Sequence, residues 1–196
     1  SLLRRCDMLL FISSIMLTQS LKTVTNLFLQ QSCPLCDRPS PQVLCPSCWS
    51  QLSRCTDPEP IQVTLPGLPS LTWGRYQGPL KQAIAALKYE GHPELAEPLG
   101  QALGQRWQQT PLTQRSPLVV PIPMFSDKAR QRGFNQAALI AQSFCRHTGL
   151  SLVRRGLLRQ RATVPQFGLG LQARQQNLAG AFALGDSFQR QRPRQP

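Results

Sequence analysis

Four cysteines, Cys33, Cys36, Cys45 and Cys48, form two Cys-x2-Cys pairs separated by eight residues. Each pair places two thiolates on one side of a tight turn, and two such turns complete a tetrahedral four-sulfur site for zinc. Pro34 and Pro46 stiffen the turns. A redox dithiol needs one pair, so the doubled motif points to Zn2+ in a closed, structural site with no open coordination position. Cys55 is spare; it could stand in for Cys48, but its spacing argues against that. Cys6 and Cys145 read as ordinary thiols, Cys145 on a helix. Seven cysteines, odd in number and four of them in close pairs, suit a reducing compartment better than a disulfide framework, so the chain is expected in the cytoplasm.

The second constellation is Val119–Gln136, VVPIPMFSDKARQRGFNQ. A β-branched run ends in Pro121 and Pro123; Lys128, Arg130 and Arg132 then alternate, Gly133 follows, and Asn135 is placed to cap the next helix. Strand, basic loop and helix N-terminus together hold phosphate or diphosphate groups in α/β proteins. A merely solvated basic loop is the alternative. Charge favours the anion reading. Residues 1–126 hold ten Lys/Arg against seven Asp/Glu, whereas residues 127–196 hold twelve against two. A polyanion, a nucleotide or a diphosphate is the partner such an imbalance attracts.

These residues must be positioned by a chain of 196 residues, enough for one ordinary domain with a small appendage. Residues 1–20 read as an N-terminal extension. Arg4 and Arg5 precede an apolar run from Met8 to Leu17, too short to span a membrane, and Met16 offers an alternative start. Apolar residues at Leu21, Val24, Leu27 and Phe28 predict a short helix that leads into the cysteine module, together covering residues 21–56. Residues 57–70, with Pro58, Pro60, Pro66 and Pro69, read as a linker.

A strand is predicted over Leu71–Tyr76, followed by a helix opened by Pro79 and ended before Gly91, with Lys81 and Lys88 on one side. A second helix opens at Pro93 and should kink at Pro98. Strands at Leu118–Ile122, Leu150–Val153 and Ala181–Leu184 alternate with helices at Asn135–His147 and Leu171–Leu178, which indicates α/β with a parallel sheet. The polar, cationic residues 187–196 read as a disordered tail.

The chain resembles the ComF family, of the ComFC and GntX type: type I phosphoribosyltransferase-like proteins with an N-terminal cysteine zinc module. The resemblance runs from about Leu21 to Asp186. It is carried by the Cys33–Cys48 module, LKYEG at Leu87–Gly91, PIP and R-x-RGFNQA within Pro121–Ala137, TVPQ at Thr163–Gln166, and Arg174-x-x-Asn177 leading to Phe182. It implies a phosphoribosyltransferase-like domain over residues 71–186 that binds phosphoribosyl diphosphate with Mg2+. A nucleophile would displace diphosphate at the anomeric carbon, the protein neutralising the leaving group. Lys128, Arg130 and Arg132 would meet the diphosphate, Asn135 would orient their loop, and Arg174 and Asn177 would lie near the site. Lys88 is a further candidate, or else only the solvated side of its helix.

Two departures stand out. Phe125 falls where the family often has a polar residue, commonly His. The family's two acids and Thr-Thr-Gly turn, expected after Phe182 to hold the ribose 5-phosphate, have no counterpart, so the sheet is expected to be incomplete and the chain truncated and inactive. Two further readings compete with the transferase: a zinc-containing accessory protein that grips single-stranded DNA, with competence-machinery proteins as partners, and an inactive remnant.

Overall fold

The computed structural model describes residues 31–65, 68–166 and 168–191. The short helix read over Leu17–Gln31 lies, apart from Gln31, outside that description, as do the N-terminal extension with Cys6 and the last five residues of the tail. The chain divides into two units, Ser1–Cys45 and Pro46–Pro196.

In the first unit the described residues form a turn around Cys33. The Cys33 carbonyl accepts from the N–H of Cys36 at 3.2 Å and of Asp37 at 2.8 Å, and the Cys33 N–H donates to the Arg38 carbonyl at 2.9 Å. Asp37 takes a left-handed φ of 56°, which short polar side chains tolerate and which closes the turn. Buried Ser40 ends it, its N–H on the Gln31 carbonyl and its Oγ accepting from the Gln42 N–H.

The second unit opens with α1, Pro46–Ser53, whose proline sits where a helix has no use for an N–H. β1 (Ile61–Leu65) and β2 (Leu68–Leu71) then form an antiparallel hairpin with a register shift between Val63 and Leu65. This corrects the linker reading of residues 57–70. In a two-stranded sheet both strands are edges, so Pro69 can sit opposite Val63 without breaking an inner ladder. It also corrects the strand expected over Leu71–Tyr76: only Leu71 belongs to one, and Gly74 bridges Thr56 instead. A Cβ at Gly74 would lie 2.6 Å from the Cys55 carbonyl oxygen, a contact only glycine permits.

α2 spans Gly78–Tyr89 and buries Leu80, Ala83, Ala86 and Leu87. Pro93–Leu95 forms a 3-10 turn that runs into α3, Ala96–Gln108. Pro98 therefore lies in the first turn of α3, where its missing N–H costs nothing, and no mid-helix kink is needed. α3 crosses α5, Gln136–Thr148, at close range because Gly100 and Gly104 face Ser143 and His147. A Cβ on Gly100 would lie 2.5 Å from the Ser143 Cβ. The crossing is further held by the Ser143 hydroxyl donating to the Glu97 carbonyl at 2.7 Å and by an edge-on contact of Trp107 with Phe144.

Among the described residues the expected parallel sheet is represented by one parallel bridge, Val119 with Leu152. The Val119 N–H donates to the Ser151 carbonyl and its carbonyl accepts from the Val153 N–H, both at 2.9 Å. Pro121 and Pro123 then remove the donors that would extend the ladder. β3 (Leu157–Arg159) and β4 (Phe182–Leu184) pair antiparallel, with α6 (Leu171–Leu178) between them in sequence. The architecture is thus mixed α/β with small sheets. Asp186–Gln191 forms a further helix, α7, so this part of the stretch read as a disordered tail is ordered in a helical turn. Among the described residues, no helix is long and apolar enough to cross a membrane.

Candidate anion-binding cleft and metal centre

The sulfurs of Cys33, Cys36, Cys45 and Cys48 all lie within 4.8 Å of one another. Cys36 Sγ and Cys45 Sγ are 3.6 Å apart. That is far beyond a bond between these two sulfurs, about 2.05 Å. It is close to the edge of a tetrahedron built on zinc–sulfur bonds of about 2.3 Å, roughly 3.8 Å. Cys33, Cys45 and Cys48 are buried and Cys36 half-buried. The donor set therefore fits zinc. Two local features favour the negative charge four thiolates would bring: Arg38 Nε donates to Cys36 Sγ at 3.4 Å, and Cys48 lies in the first turn of α1, at the positive end of the helix. Cys55 stands outside the cluster, its thiol on the Gln51 and Gln77 carbonyls. Cys145 is buried within α5, and desolvation pushes its thiol above the usual range, as suits a packing residue.

Lys128, Arg130 and Arg132 lie on a helix, α4 (Ser126–Arg132), where a loop was expected. In an extended loop, alternate residues would point together. On a helix, residues four apart share a face and residues two apart do not. Lys128 and Arg132 accordingly turn toward the same cleft, while Arg130 pairs with Asp127 on the solvent side. Gly133, at φ 79°, ends α4 in the left-handed conformation that glycine adopts without a Cβ penalty.

Asn135 does two jobs at the start of α5. Its Oδ1 accepts from the Ala137 N–H at 2.9 Å, capping the helix, and its Nδ2 donates to the Ile122 carbonyl at 3.0 Å. It thereby ties α5 to the proline-broken segment after Val119. Replacing it with Ala is expected to cost about 1–2 kcal/mol, the sum of a lost cap and a lost hydrogen bond. Asn135→Asp, which keeps the cap and loses the donor, should fall between the two in a urea-unfolding series. Equal stability of all three proteins would refute the double role.

The cleft has a volume of about 710 Å³. Lys88 and Tyr89 reach it from the last turn of α2, with Gly91 just beyond. Lys128, Gln131 and Arg132 enter from α4, Phe134 from the connection to α5, and Pro165 and Gln166 from the irregular segment after β3. Arg132 is held by Gln136 Oε1 at 2.6 Å and stands over the Tyr89 ring, 5.4 Å from its centre. Among the described residues, no carboxylate pairs with Lys88, Lys128 or Arg132.

Arg174 and Asn177 are not in the cleft wall. Arg174 is exposed on α6. The Asn177 side chain grips both backbone groups of Val164, donating to its carbonyl at 2.9 Å and accepting from its N–H at 3.3 Å. Arg161 donates to the carbonyls of Asn177 and Ala179 at the end of the same helix. Asn177 thus holds the segment that carries Pro165 and Gln166. Tyr89, Phe134 and Gln166 join the site only through the fold, though each stands inside one of the motifs that carried the resemblance.

Comparison with known proteins gives relatives of one kind. The DNA utilization protein YhgH of Salmonella typhi is 29% identical over 163 residues, covering 78% of this chain and 64% of that protein. Its Escherichia coli K12 counterpart is 28% identical over 159 residues, covering 78% and 70%. Competence protein F of Haemophilus influenzae is 28% identical over 117 residues, covering 58% and 51%. The chain thus spans about two thirds of the length of the YhgH proteins it matches. No protein-family model matches it, and no solved structure matches it significantly. The chain is homologous to the YhgH and competence protein F group, in agreement with the resemblance carried by its cysteine module and basic motifs.

Proposed function

We propose that this protein serves DNA utilisation, as the names of its relatives indicate, and that its cleft binds a phosphorylated ligand of the phosphoribosyl diphosphate class. One observation carries the reading: Lys88, Lys128 and Arg132 converge on one cleft from two helices, and no described acid offsets them there. Three cations lining one cleft form a trap for two linked phosphates. In a transfer reaction the same cations would stabilise diphosphate as it leaves the anomeric carbon. The Mg2+ of this reading would arrive with the diphosphate, since no cleft-lining residue is a carboxylate.

Titration of the chain with inorganic diphosphate by calorimetry is expected to give one saturable event. The affinity should fall several-fold between about 50 and 200 mM salt, as charge-driven contacts do. No heat at millimolar diphosphate in low salt would sink the proposal. The twelve cations against two acids in residues 127–196 favour a second reading, a grip on single-stranded DNA. That reading requires DNA affinity that survives loss of the Lys128 and Arg132 charges.

A further inference from the structure

Of the described cysteines, Cys36 alone is half-buried; the other five are buried. The difference matters for oxidation, which follows thiolate character and exposure together. Cys55 meets neither condition, being buried with its thiol donating to the Gln51 and Gln77 carbonyls. Cys145 is buried too, and desolvation pushes its thiol up. Zinc, when bound, keeps all four of its sulfurs as thiolates at neutral pH. Cys36 therefore combines a thiolate with a side open to solvent, and the exposed Arg38 donates from Nε to its Sγ at 3.4 Å.

A reversible thiol switch also needs a neighbouring sulfur that can resolve the oxidised one. Cys45 Sγ stands 3.6 Å from Cys36 Sγ. A bond between them, about 2.05 Å, requires an approach of roughly 1.5 Å. The backbone decides which ligand can move that far. Cys33 is fixed in its turn by hydrogen bonds at both its carbonyl and its N–H, and Cys48 is set in α1. Cys45 lies in the irregular segment that precedes α1, outside any helix or strand.

We propose that the cysteine centre is a peroxide-sensitive clasp, in which Cys36 is oxidised first and Cys45 closes a disulfide with it, releasing the metal. This rests on the zinc reading of the same four sulfurs. The Cys36 thiolate attacks one oxygen of hydrogen peroxide; the O–O bond breaks, hydroxide leaves, and Cys36 carries a sulfenic acid. The Cys45 thiolate then attacks Cys36 Sγ, forming the S–S bond and expelling a second hydroxide. Two protons from solvent turn both hydroxides into water, so the two sulfurs give up one electron each and one peroxide is consumed. Cys33 and Cys48 remain, half the ligands of a closed four-sulfur site, and residues 33–55 lose the metal that orders them. A thiol reductant supplied with Zn2+ reverses the change.

The test treats the zinc-loaded full chain with hydrogen peroxide and follows the metal with a chromogenic chelator too weak to strip the site itself. Peroxide is expected to release about one zinc per chain, at least about tenfold faster than buffer does, with about one disulfide formed for each zinc. A protease that cuts before aspartate separates Cys36 from Cys45 at Asp37. The expected disulfide therefore joins two peptides, 7–36 and 37–56, and fragmentation places it between Cys36 and Cys45. Dithiothreitol with Zn2+ should restore both the metal and the resistance of residues 33–55 to limited proteolysis. Cys55→Ser should release zinc within about twofold of the wild-type rate, because that thiol takes no part. A disulfide that leaves out Cys36 or Cys45, or a centre that keeps its zinc in excess peroxide, overturns the switch and leaves the metal centre standing. Zinc lost with the sulfurs driven to sulfinic acid, beyond recovery by dithiothreitol, also overturns it, because that is damage. Protein that carries no zinc as purified overturns the metal reading and the switch together.

Discussion

Replacing Lys128 and Arg132 together by glutamate is expected to weaken diphosphate binding by at least about 100-fold, or roughly 2.7 kcal/mol. The estimate rests on charge and distance. Each substitution turns an attraction into a repulsion. A pair of unit charges about 4 Å apart near a protein surface interacts by between about 1 and 4 kcal/mol, depending on effective dielectric. Two reversals within one cleft leave Lys88 alone against two new carboxylates. The helix itself should persist, because Lys128 is exposed and the neighbouring Asp127–Arg130 pair is untouched. Arg132 is half-buried against Tyr89 and Gln136, so Lys128→Glu alone, at an exposed position of the cleft wall, serves as the milder variant with about a tenfold loss. A double reversal at exposed Arg115 and Arg154 makes the same change in net charge away from the cleft and should alter affinity by less than about threefold. If both double variants weaken binding equally, the general field of the basic half is responsible and the cleft is not a site.

How far the site was legible differs element by element. The helices Gln136–Thr148 and Leu171–Leu178 follow from local signals: Asn135 as cap, Gly149 at φ 76°, and apolar periodicity over the first of them. Such signals act over a few residues, so a sequence carries them openly. α4 was hidden because Ser126–Arg132 has no apolar stripe, and the alternating cations suggested an extended loop. The signal present was propensity: Lys, Ala, Arg, Gln and Arg in succession are all strong helix formers. The hairpin β1–β2 was hidden by its prolines, although IQVTL alternates in the manner of a strand. What no local pattern encodes is the meeting of Lys88 with Lys128, or of Tyr89 with Gln166, across long separations in the chain. Those encounters depend on packing between α2, α4 and the segment held by Asn177. The cysteine site lies at the other extreme. Its ligand set could be read from spacing alone, because four sulfurs within 16 residues can meet in few ways.

That compactness makes metal removal the change with the largest expected effect on the region around residues 33–55. The protein as purified should contain about one zinc per chain, and Cys33→Ser should reduce this to a small fraction. Cys33 is fully buried and its backbone closes the first turn, so a serine there cannot swing outward to be replaced by a neighbouring ligand. Without the ion, those of the four sulfurs that ionise within 4.8 Å of one another repel. The free energy of a structural zinc site is folding free energy, about 10–16 kcal/mol in small zinc-finger peptides. The few buried apolar residues near this cluster, Leu44 and Leu52 among them, cannot replace a term of that size. Treatment with a strong chelator, or Cys33→Ser, should therefore make residues 33–55 the first site of cleavage in limited proteolysis. Cleavage within α3 and α5, whose close crossing has its own packed core, should lag behind. Acid should act in the same direction as the chelator, since protons compete with the metal for thiolate ligands. Cys55→Ser is the decisive control, because Cys55 is buried and close in sequence but outside the cluster, and its zinc content should stay at about one per chain. Zinc lost equally from the Cys33 and Cys55 variants would mean that general unfolding, and not ligand removal, releases the metal. Wild-type protein without zinc, and with the same cleavage pattern before and after chelation, would exclude a metal centre here.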